Sequence, residues 1–157
     1  MPVPSQNHLV IDSNPDPENA RFLDDQLYEF NIQTTGVMDG DLLAVFLRGP
    51  NDEVIGGSYG WTWGGTCYIR YLFVPTGMRN QGCGTRIICV VEQEALRRQC
   101  VQIVLETHDF QAPGFYAKLG FAIVGSVDGF PRGHKYLTML KRLPQQSQTF
   151  HPASQDP

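Results

Sequence analysis

Residues 71–85 read YLFVPTGMRNQGCGT. The apolar and aromatic start predicts a strand that closes at Pro75, because proline cannot donate to a β-ladder. Two glycines follow, at 82 and 84, and the apolar spacing after them predicts a helix that begins at Gly84. A helix N-terminus leaves backbone N–H groups without internal partners and carries about half a positive charge. This order of strand, glycine loop and helix therefore predicts a phosphate-binding loop.

The glycines and one arginine suit that loop to an anionic group. Gly82 and Gly84 lack the Cβ atoms that would keep a pyrophosphate away from the backbone. Arg79 adds a positive charge at the mouth of the loop. Two other nucleotide loops do not match: a P-loop needs lysine followed by Ser or Thr after its last glycine, and a dinucleotide loop needs a further glycine where Ile87 stands.

The rest of the chain predicts alternating strands and helices. A helix begins at Asp16-Pro17 and stops at Gly36, and another short helix begins at Pro113 and stops at Gly120. Hydrophobic runs separated by turns predict seven strands, the first three after the N-terminal helix being antiparallel. In chain order these strands are His8–Ile11, Leu42–Leu47, Val54–Trp61, Thr66–Val74, Val101–Thr107, Phe121–Gly125 and His134–Leu143.

Composition is that of one globular domain, residues 1–144, followed by a polar segment, 145–157, that is expected to be disordered. We predict a soluble cytoplasmic protein, because no signal peptide or membrane span is evident. A net charge of −4 argues against a general nucleic-acid binder.

Neither the cysteines nor the histidines show metal-site spacing, so no metal is expected and the thiols are expected to be reduced. The four cysteines are Cys67, Cys83, Cys89 and Cys100.

Charge is unevenly distributed along the chain. Residues 1–60 contain ten acids and two bases, whereas residues 61–157 contain ten bases and six acids. This division suits a cationic substrate in the first part and an anionic cofactor in the second. The alternative explanation is that the acidic residues form a surface whose only role is to keep the protein soluble.

Two motifs in register resemble those of the GCN5-related N-acetyltransferase superfamily, called GNAT. The pattern Arg79-x-x-Gly82-x-Gly84 resembles the family's acetyl-CoA loop, and residues 115–121, FYAKLGF, resemble a second motif of the family. The resemblance covers residues 8–143 in outline. It implies an α/β (α+β) fold with a mixed, mostly antiparallel sheet of about six to seven strands flanked by helices, in which the fourth and fifth strands splay apart.

The resemblance also implies roles for residues. Backbone groups of the splayed strand would bond the pantetheine arm of coenzyme A, and loop amides would hold its pyrophosphate. Tyr116 would lie near the thioester sulfur as general acid, since a phenol with a pKa near 10 is a fair donor to a leaving thiolate. The expected cofactor-binding residues are Leu72, Phe73, Val74, Arg79, Asn80, Gln81, Gly82, Cys83, Gly84, Thr85 and Phe115.

A general base and an acceptor pocket are less sharply indicated. Glu106, His108 and Asp109, at the end of the fifth strand, and Glu29, on the first helix, are the titratable candidates for a base, although ordered water can carry the proton instead. An acceptor pocket is expected from aromatic and polar residues, because aromatic walls beside carboxylates favour a cation. Its residues would be Glu29, Phe30, Asn31, Tyr59, Trp61, Trp63 and Asp109.

The expected function is therefore acetyl-CoA-dependent N-acetylation of a primary amine by direct attack in a ternary complex. The acceptor is expected to be a small cationic metabolite or antibiotic, and a homodimer is expected from the habit of such folds. Two other functions remain open: a noncatalytic acyl-CoA-binding module, and acetylation of protein lysines or N-termini.

Overall fold

A computed structural model describes residues 8–144 of the chain. It contains two compact units, one ending at Met38 and the other beginning at Asp39. The proposed tail, 145–157, lies outside the described residues, and the single-domain expectation stays a prediction.

The first unit contains helix α1, Pro17–Thr35. Its ends match the sequence signals: the Asp16 carboxylate accepts from the Glu18 N–H at 3.0 Å, and Gly36 closes the helix with φ of 73°. None of its side chains is buried. The prediction of a strand at His8–Ile11 is wrong, because these residues are exposed and pair with no strand.

The second unit is built on one six-stranded sheet. Its strands are β1 Asp41–Arg48, β2 Val54–Trp63, β3 Thr66–Phe73, β4 Gln102–His108, β5 Ala122–Asp128 and β6 Lys135–Arg142, in the spatial order β1-β2-β3-β4-β6-β5. All pairs are antiparallel except β3 with β4. Helix α2, Cys83–Arg97, provides the crossover that this parallel pair requires, and helix α3, Pro113–Lys118, follows β4.

The core lies between α2 and one face of the sheet. Ile88, Val91 and Ala95 of α2 pack with Ile69 of β3 and Leu105 of β4, all of them at most 3% exposed. The facing positions of β2 are small, namely Gly56, Ser58, Gly60 and Thr62, which leaves room for the helix. The apolar stripe predicted for α2 is therefore confirmed.

The expected splay of the strands before and after the glycine loop is present. β3 and β4 pair only from Thr66–Gln102 to Ile69–Leu105 and then separate. These are the fourth and fifth strands of the sequence prediction, renumbered because His8–Ile11 forms no strand.

A β-bulge in β3 coincides with the point of separation. Gly60 pairs with Ile69 and Tyr59 pairs with Tyr71, so Arg70 is an extra residue. Two consecutive residues, Arg70 and Tyr71, are consequently exposed, whereas Leu72 packs on the core. The bulge thus changes which side chains face the core and which face away.

None of the helices within residues 8–144 is long and apolar enough to cross a lipid bilayer.

Gly60 is expected to be a stringent packing position. A Cβ atom there would lie 1.9 Å from the backbone oxygen of Tyr68 on the neighbouring strand. We expect Gly60→Ala to lower the free energy of unfolding by about 1–3 kcal/mol, because the strand pair must shift. Urea denaturation would measure the change.

Gly114→Ala provides the control, since a Cβ at Gly114 meets nothing within 4 Å. An equal effect of the two substitutions would show that the close approach of β2 and β3 does not constrain this sheet.

Candidate functional site

A cleft of about 1030 Å³ opens where β3 and β4 separate. It is bordered by the free end of β3, the glycine loop, the end of β4 and helix α3. Its lining residues are Arg70, Tyr71, Leu72, Phe73, Val74, Arg79, Asn80, Gly82, Gly84, Thr85, Glu106, Thr107, Phe110, Gln111, Ala112, Phe115 and Tyr116. Most residues expected to bind cofactor therefore lie together; of that set, only Gln81 and Cys83 do not line the cleft.

Side-chain bonds close the loop between β3 and α2. Arg79 Nε donates to the Val74 carbonyl at 3.0 Å, and Gln81 Nε2 donates to the Gly77 carbonyl at 2.8 Å. Asn80 and Gly82 take positive φ angles of 59° and 77°, a region that favours asparagine and glycine. These bonds and backbone conformations define the shape of the loop.

The N-terminus of α2 offers unpartnered donors. The first helical bond runs from the Arg86 N–H to the Gly82 carbonyl at 3.0 Å, and no side chain caps the helix. The amides of Cys83, Gly84 and Thr85 therefore have no partner within α2. Amides with the helix dipole behind them, beside the positive charge of Arg79, fit a phosphate group.

The two glycines of the loop meet different local requirements. Gly82 adopts a left-handed conformation, and a Cβ there would meet no protein atom within 4 Å. A Cβ at Gly84 would lie 3.1 Å from Cζ of Phe115, so the missing side chain lets Phe115 pack on α2. The backbone conformation at residue 82 and the packing of Phe115 at residue 84 thus both favour glycine. These requirements are separate from the close approach of a pyrophosphate, which the sequence predicted.

Tyr116 is buried, at 7% exposure, yet it lines the cleft. Its ring packs against Phe115 and Phe121, with centroids 5.1 and 5.8 Å away. Burial raises the pKa of the phenol to about 12. No hydrogen bond joins its hydroxyl to another residue described in the structure, so this protonated group is free to donate into the cleft.

Glu106 is held by two tyrosines from neighbouring strands. Its Oε2 atom accepts from the Tyr68 hydroxyl at 2.6 Å and from the Tyr136 hydroxyl at 2.9 Å. Burial raises the pKa of both phenols, and the bond to Glu106 raises it further. Both tyrosines consequently act as donors near neutral pH, and the carboxylate has a defined position.

His108 lies at the end of β4 in an aromatic group. Its ring centroid is 5.0 Å from that of Phe110 and 4.8 Å from that of Tyr136. Gln111 Oε1 accepts from the His108 N–H at 2.9 Å and from the Thr107 hydroxyl at 3.1 Å, which shapes the turn that leads to α3. Asp109 forms an ion pair with His134 at 3.1 Å when that histidine is protonated. Neither His108 nor Asp109 lines the cleft.

The residues expected to form an acceptor pocket are distributed over the chain. Trp61 packs against Tyr68, with ring centroids 4.5 Å apart and ring planes tilted by 39°, and Tyr68 in turn donates to Glu106. Trp63, two residues further on at the C-terminal end of β2, lines a separate pocket of about 180 Å³. Glu29, Phe30 and Asn31 lie on α1 in the first unit. Their participation in acceptor binding stays a prediction.

Sequence analysis did not assign a role to several residues of this region. Tyr68 and Tyr136 are 30 or more positions away from Glu106, and no short motif links them. No motif of the sequence singles out Arg70, because the bulge that exposes it follows from strand pairing. A consecutive polar pair, Arg70-Tyr71, within an otherwise alternating strand was the one available signal.

A family model, Acetyltransferase (GNAT) family, matches residues 7–121 of the chain. Two curated relatives are an acetyltransferase of Agrobacterium fabrum, 30% identical over 87% of this chain and 99% of its own, and the blasticidin-S acetyltransferase of Streptomyces morookaense. The latter is 32% identical over 71% of this chain and 85% of its own.

Solved structures of acetyltransferases also superpose on this chain. A crystal structure of an acetyltransferase from Agrobacterium tumefaciens superposes with a TM-score of 0.80 at 29% identity, covering 87% of this chain and 100% of that chain. A crystal structure from Bacillus anthracis, in complex with acetyl coenzyme A, superposes with a TM-score of 0.54 at 25% identity. That match covers 66% of this chain and 62% of the other.

Arg79 is expected to strengthen binding of coenzyme A. Replacing it by glutamine removes the positive charge of the loop and the Nε–H bond to the Val74 carbonyl. We expect Arg79→Gln to weaken CoA affinity about tenfold, as for the loss of one hydrogen bond to a charged group. Isothermal titration calorimetry with CoA measures the effect.

Arg86→Gln is the matched control, since Arg86 is exposed on α2 and does not line the cleft. Equal weakening by both variants would mean that only net charge matters and that the loop position of Arg79 does not.

Proposed function

This chain belongs to the GNAT acetyltransferase family, and from that premise we propose that it transfers an acetyl group from acetyl-CoA to a primary amine of a small molecule. Members of the family bind acetyl-CoA or CoA, which confirms the predicted cofactor along with the predicted family and fold class. N-acetylation of a small amine that is cationic in solution is the specific activity we propose.

The proposal is supported by one continuous cleft. It contains hydrogen-bond donors at the glycine loop and a phenol donor at Tyr116. The α2 amides and Arg79 would hold the pyrophosphate, and the unpaired edge of β3 from Leu72 to Val74 would bond the pantetheine arm. Phe115, packed on Gly84, would border this arm. The cofactor supplies an acetyl group activated as a thioester.

Tyr116 is the proposed general acid. The acceptor nitrogen bonds to the acetyl carbon as the carbon–sulfur bond breaks, and the Tyr116 phenol donates its proton to the leaving sulfur. A raised pKa keeps that proton in place at neutral pH. The backbone N–H of Val74 lies beyond Phe73, the last paired residue of β3, and is the proposed donor to the developing oxyanion.

Glu106 is the proposed partner of the acceptor amine. It lines the cleft and has one oxygen engaged by Tyr68 and Tyr136, so its position is set before the amine arrives. An amine that is cationic in solution must first lose one proton to become a nucleophile, and it loses a second as its new bond to carbon forms. The carboxylate of Glu106 or an ordered water accepts these protons and passes them to solvent. His108 and Asp109, outside the cleft lining, would act only through water or through Glu106 and Tyr136.

Calorimetry with acetyl-CoA and a thiol-release assay over an amine library test the proposal together. We expect binding in the micromolar to millimolar range and release of one thiol per acetylated amine. Binding without thiol release from any amine would favour a noncatalytic CoA-binding module, and release only with protein lysines or N-termini would favour protein acetylation. A homodimer, a cytoplasmic location and the absence of nucleic-acid and membrane partners belong to the same proposal and need separate tests.

Tyr116→Phe is expected to lower kcat by about 100-fold or more, the usual scale of general acid catalysis. CoA affinity should remain nearly unchanged, because the ring packing on Phe115 and Phe121 persists. With a pKa of about 12, the phenol is still protonated at pH 9, so the deficit should be the same at pH 7 and pH 9. Steady-state kinetics at both pH values measure it.

A deficit that shrinks between pH 7 and pH 9 would indicate that the phenol titrates in that range. Unchanged kcat would remove Tyr116 from the reaction.

A further inference from the structure

The cleft contains two opposite charges that do not neutralise each other. Glu106 and Arg70 both line it, and no salt bridge joins them within the described part of the chain. Each charge is instead held by tyrosine side chains, Glu106 by Tyr68 and Tyr136 and Arg70 by Tyr71.

The carboxylate of Glu106 is anchored through one oxygen. Tyr68 and Tyr136, which flank β4 on β3 and β6, both donate to Oε2. The other oxygen, Oε1, accepts from no described residue. Glu106 is half-buried, and the two bonds hold its carboxylate in one orientation. Its second oxygen is available to a ligand, and little side-chain rotation remains to be lost when that ligand binds.

Arg70 is anchored through its inner nitrogen. Nε donates to the Tyr71 hydroxyl at 2.8 Å, and the guanidinium carbon lies 5.3 Å from the centre of the Tyr71 ring. The two outer nitrogens have no acceptor among the described residues. They form the end of a planar fork that matches a carboxylate.

The bulge in β3 places this arginine on the cleft that Glu106 also lines. Without the extra residue, the side chains of β3 would alternate regularly, and Tyr71 would turn towards the core face that Leu72 occupies. With it, Arg70 and Tyr71 are exposed together, on the stretch of β3 that no longer pairs with β4. Arg70 lies near the start of the separation, whereas the anion-binding loop follows the far end of β3.

Aromatic side chains also line this part of the cleft. Tyr71 and Phe110 line the cleft together with the two charges and supply apolar surface to it. An acceptor with cationic groups alone would satisfy Glu106 and be repelled by Arg70. A molecule that carries an amine and a carboxylate on an apolar body would satisfy both.

We propose that the acceptor is a primary amine that also carries a carboxylate, with Glu106 Oε1 binding the amino group and the outer nitrogens of Arg70 binding the carboxylate. This inference rests on the proposed N-acetyltransferase function and narrows its substrate class to amino acids and related amine-bearing acids. The tyrosines Tyr68 and Tyr136 position Glu106, and Tyr71 positions Arg70.

Matched substrate pairs test the proposal. Each pair consists of an amino acid and the amine that lacks its carboxylate, such as lysine with cadaverine and phenylalanine with phenethylamine. We expect a kcat/KM at least about tenfold higher for the acid-bearing member of the preferred pair, because a charge-assisted fork is lost in the other. Calorimetric binding of the same molecules to the enzyme saturated with CoA gives a readout that does not depend on turnover.

Substitutions test which side chains cause the preference for the substrate that carries a carboxylate. Arg70→Gln should reduce the ratio within the preferred pair to about one, and Arg86→Gln should keep it, although both remove one positive charge. Arg70→Lys should restore the ratio only in part, since lysine lacks the planar fork. Glu106→Gln should weaken binding of both members, and Tyr68→Phe should do so less. CoA affinity should stay constant throughout.

Equal or better use of the amines without a carboxylate would overturn the proposal, as would an unchanged ratio in Arg70→Gln. Failure of the underlying function is a distinct result: CoA binds but no amine of the panel releases thiol. In that case, preferential calorimetric binding of the acid-bearing members would still support the ligand class, and its absence would overturn it.

Discussion

The parting of β3 and β4 after Ile69 and Leu105 is the constraint on which the site depends. An extra residue, Arg70, falls at the same point and interrupts the alternation of β3. Because the strands no longer pair, β3 keeps backbone groups free from Leu72 to Val74, and a cleft opens between the strand ends. The same extra residue turns Arg70 and Tyr71 away from the core, so a single irregularity creates both the space and part of its lining.

The two motifs of the sequence meet in this cleft. Gly84, in the first turn of α2, has no side chain, and the ring of Phe115 from α3 occupies the adjacent space. Tyr116 packs against Phe115 and Phe121, and it lines the same cleft as the free edge of β3. The glycine loop and the short helix are therefore parts of one packed unit, and the turn that Gln111 stabilises after β4 brings them together.

Local signals were sufficient for most of the secondary structure. Asp16 with Pro17, Gly36, Pro75, Pro113 and Gly120 mark element ends in the chain as they do in the structure. His8–Ile11 was predicted wrongly, because an apolar run becomes a strand only when another strand supplies hydrogen bonds. The Glu106 environment was not predictable either, since Tyr68 and Tyr136 reach it through strand pairing across long sequence separations.

By itself the sequence determined the family, the order of strands and helices from Pro17 onward, the glycine loop before α2 and the position of Tyr116 in the short helix α3. Each of these depends on neighbours within a few residues: turn formers, caps, glycine spacing and hydrophobic periodicity. Only the tertiary structure decided that Arg70 is exposed, that Glu106 is held by two phenols and that Trp63 lies away from the cleft. Those features depend on strand register and on a bulge, which arise from pairing between distant segments and leave little local pattern in the chain.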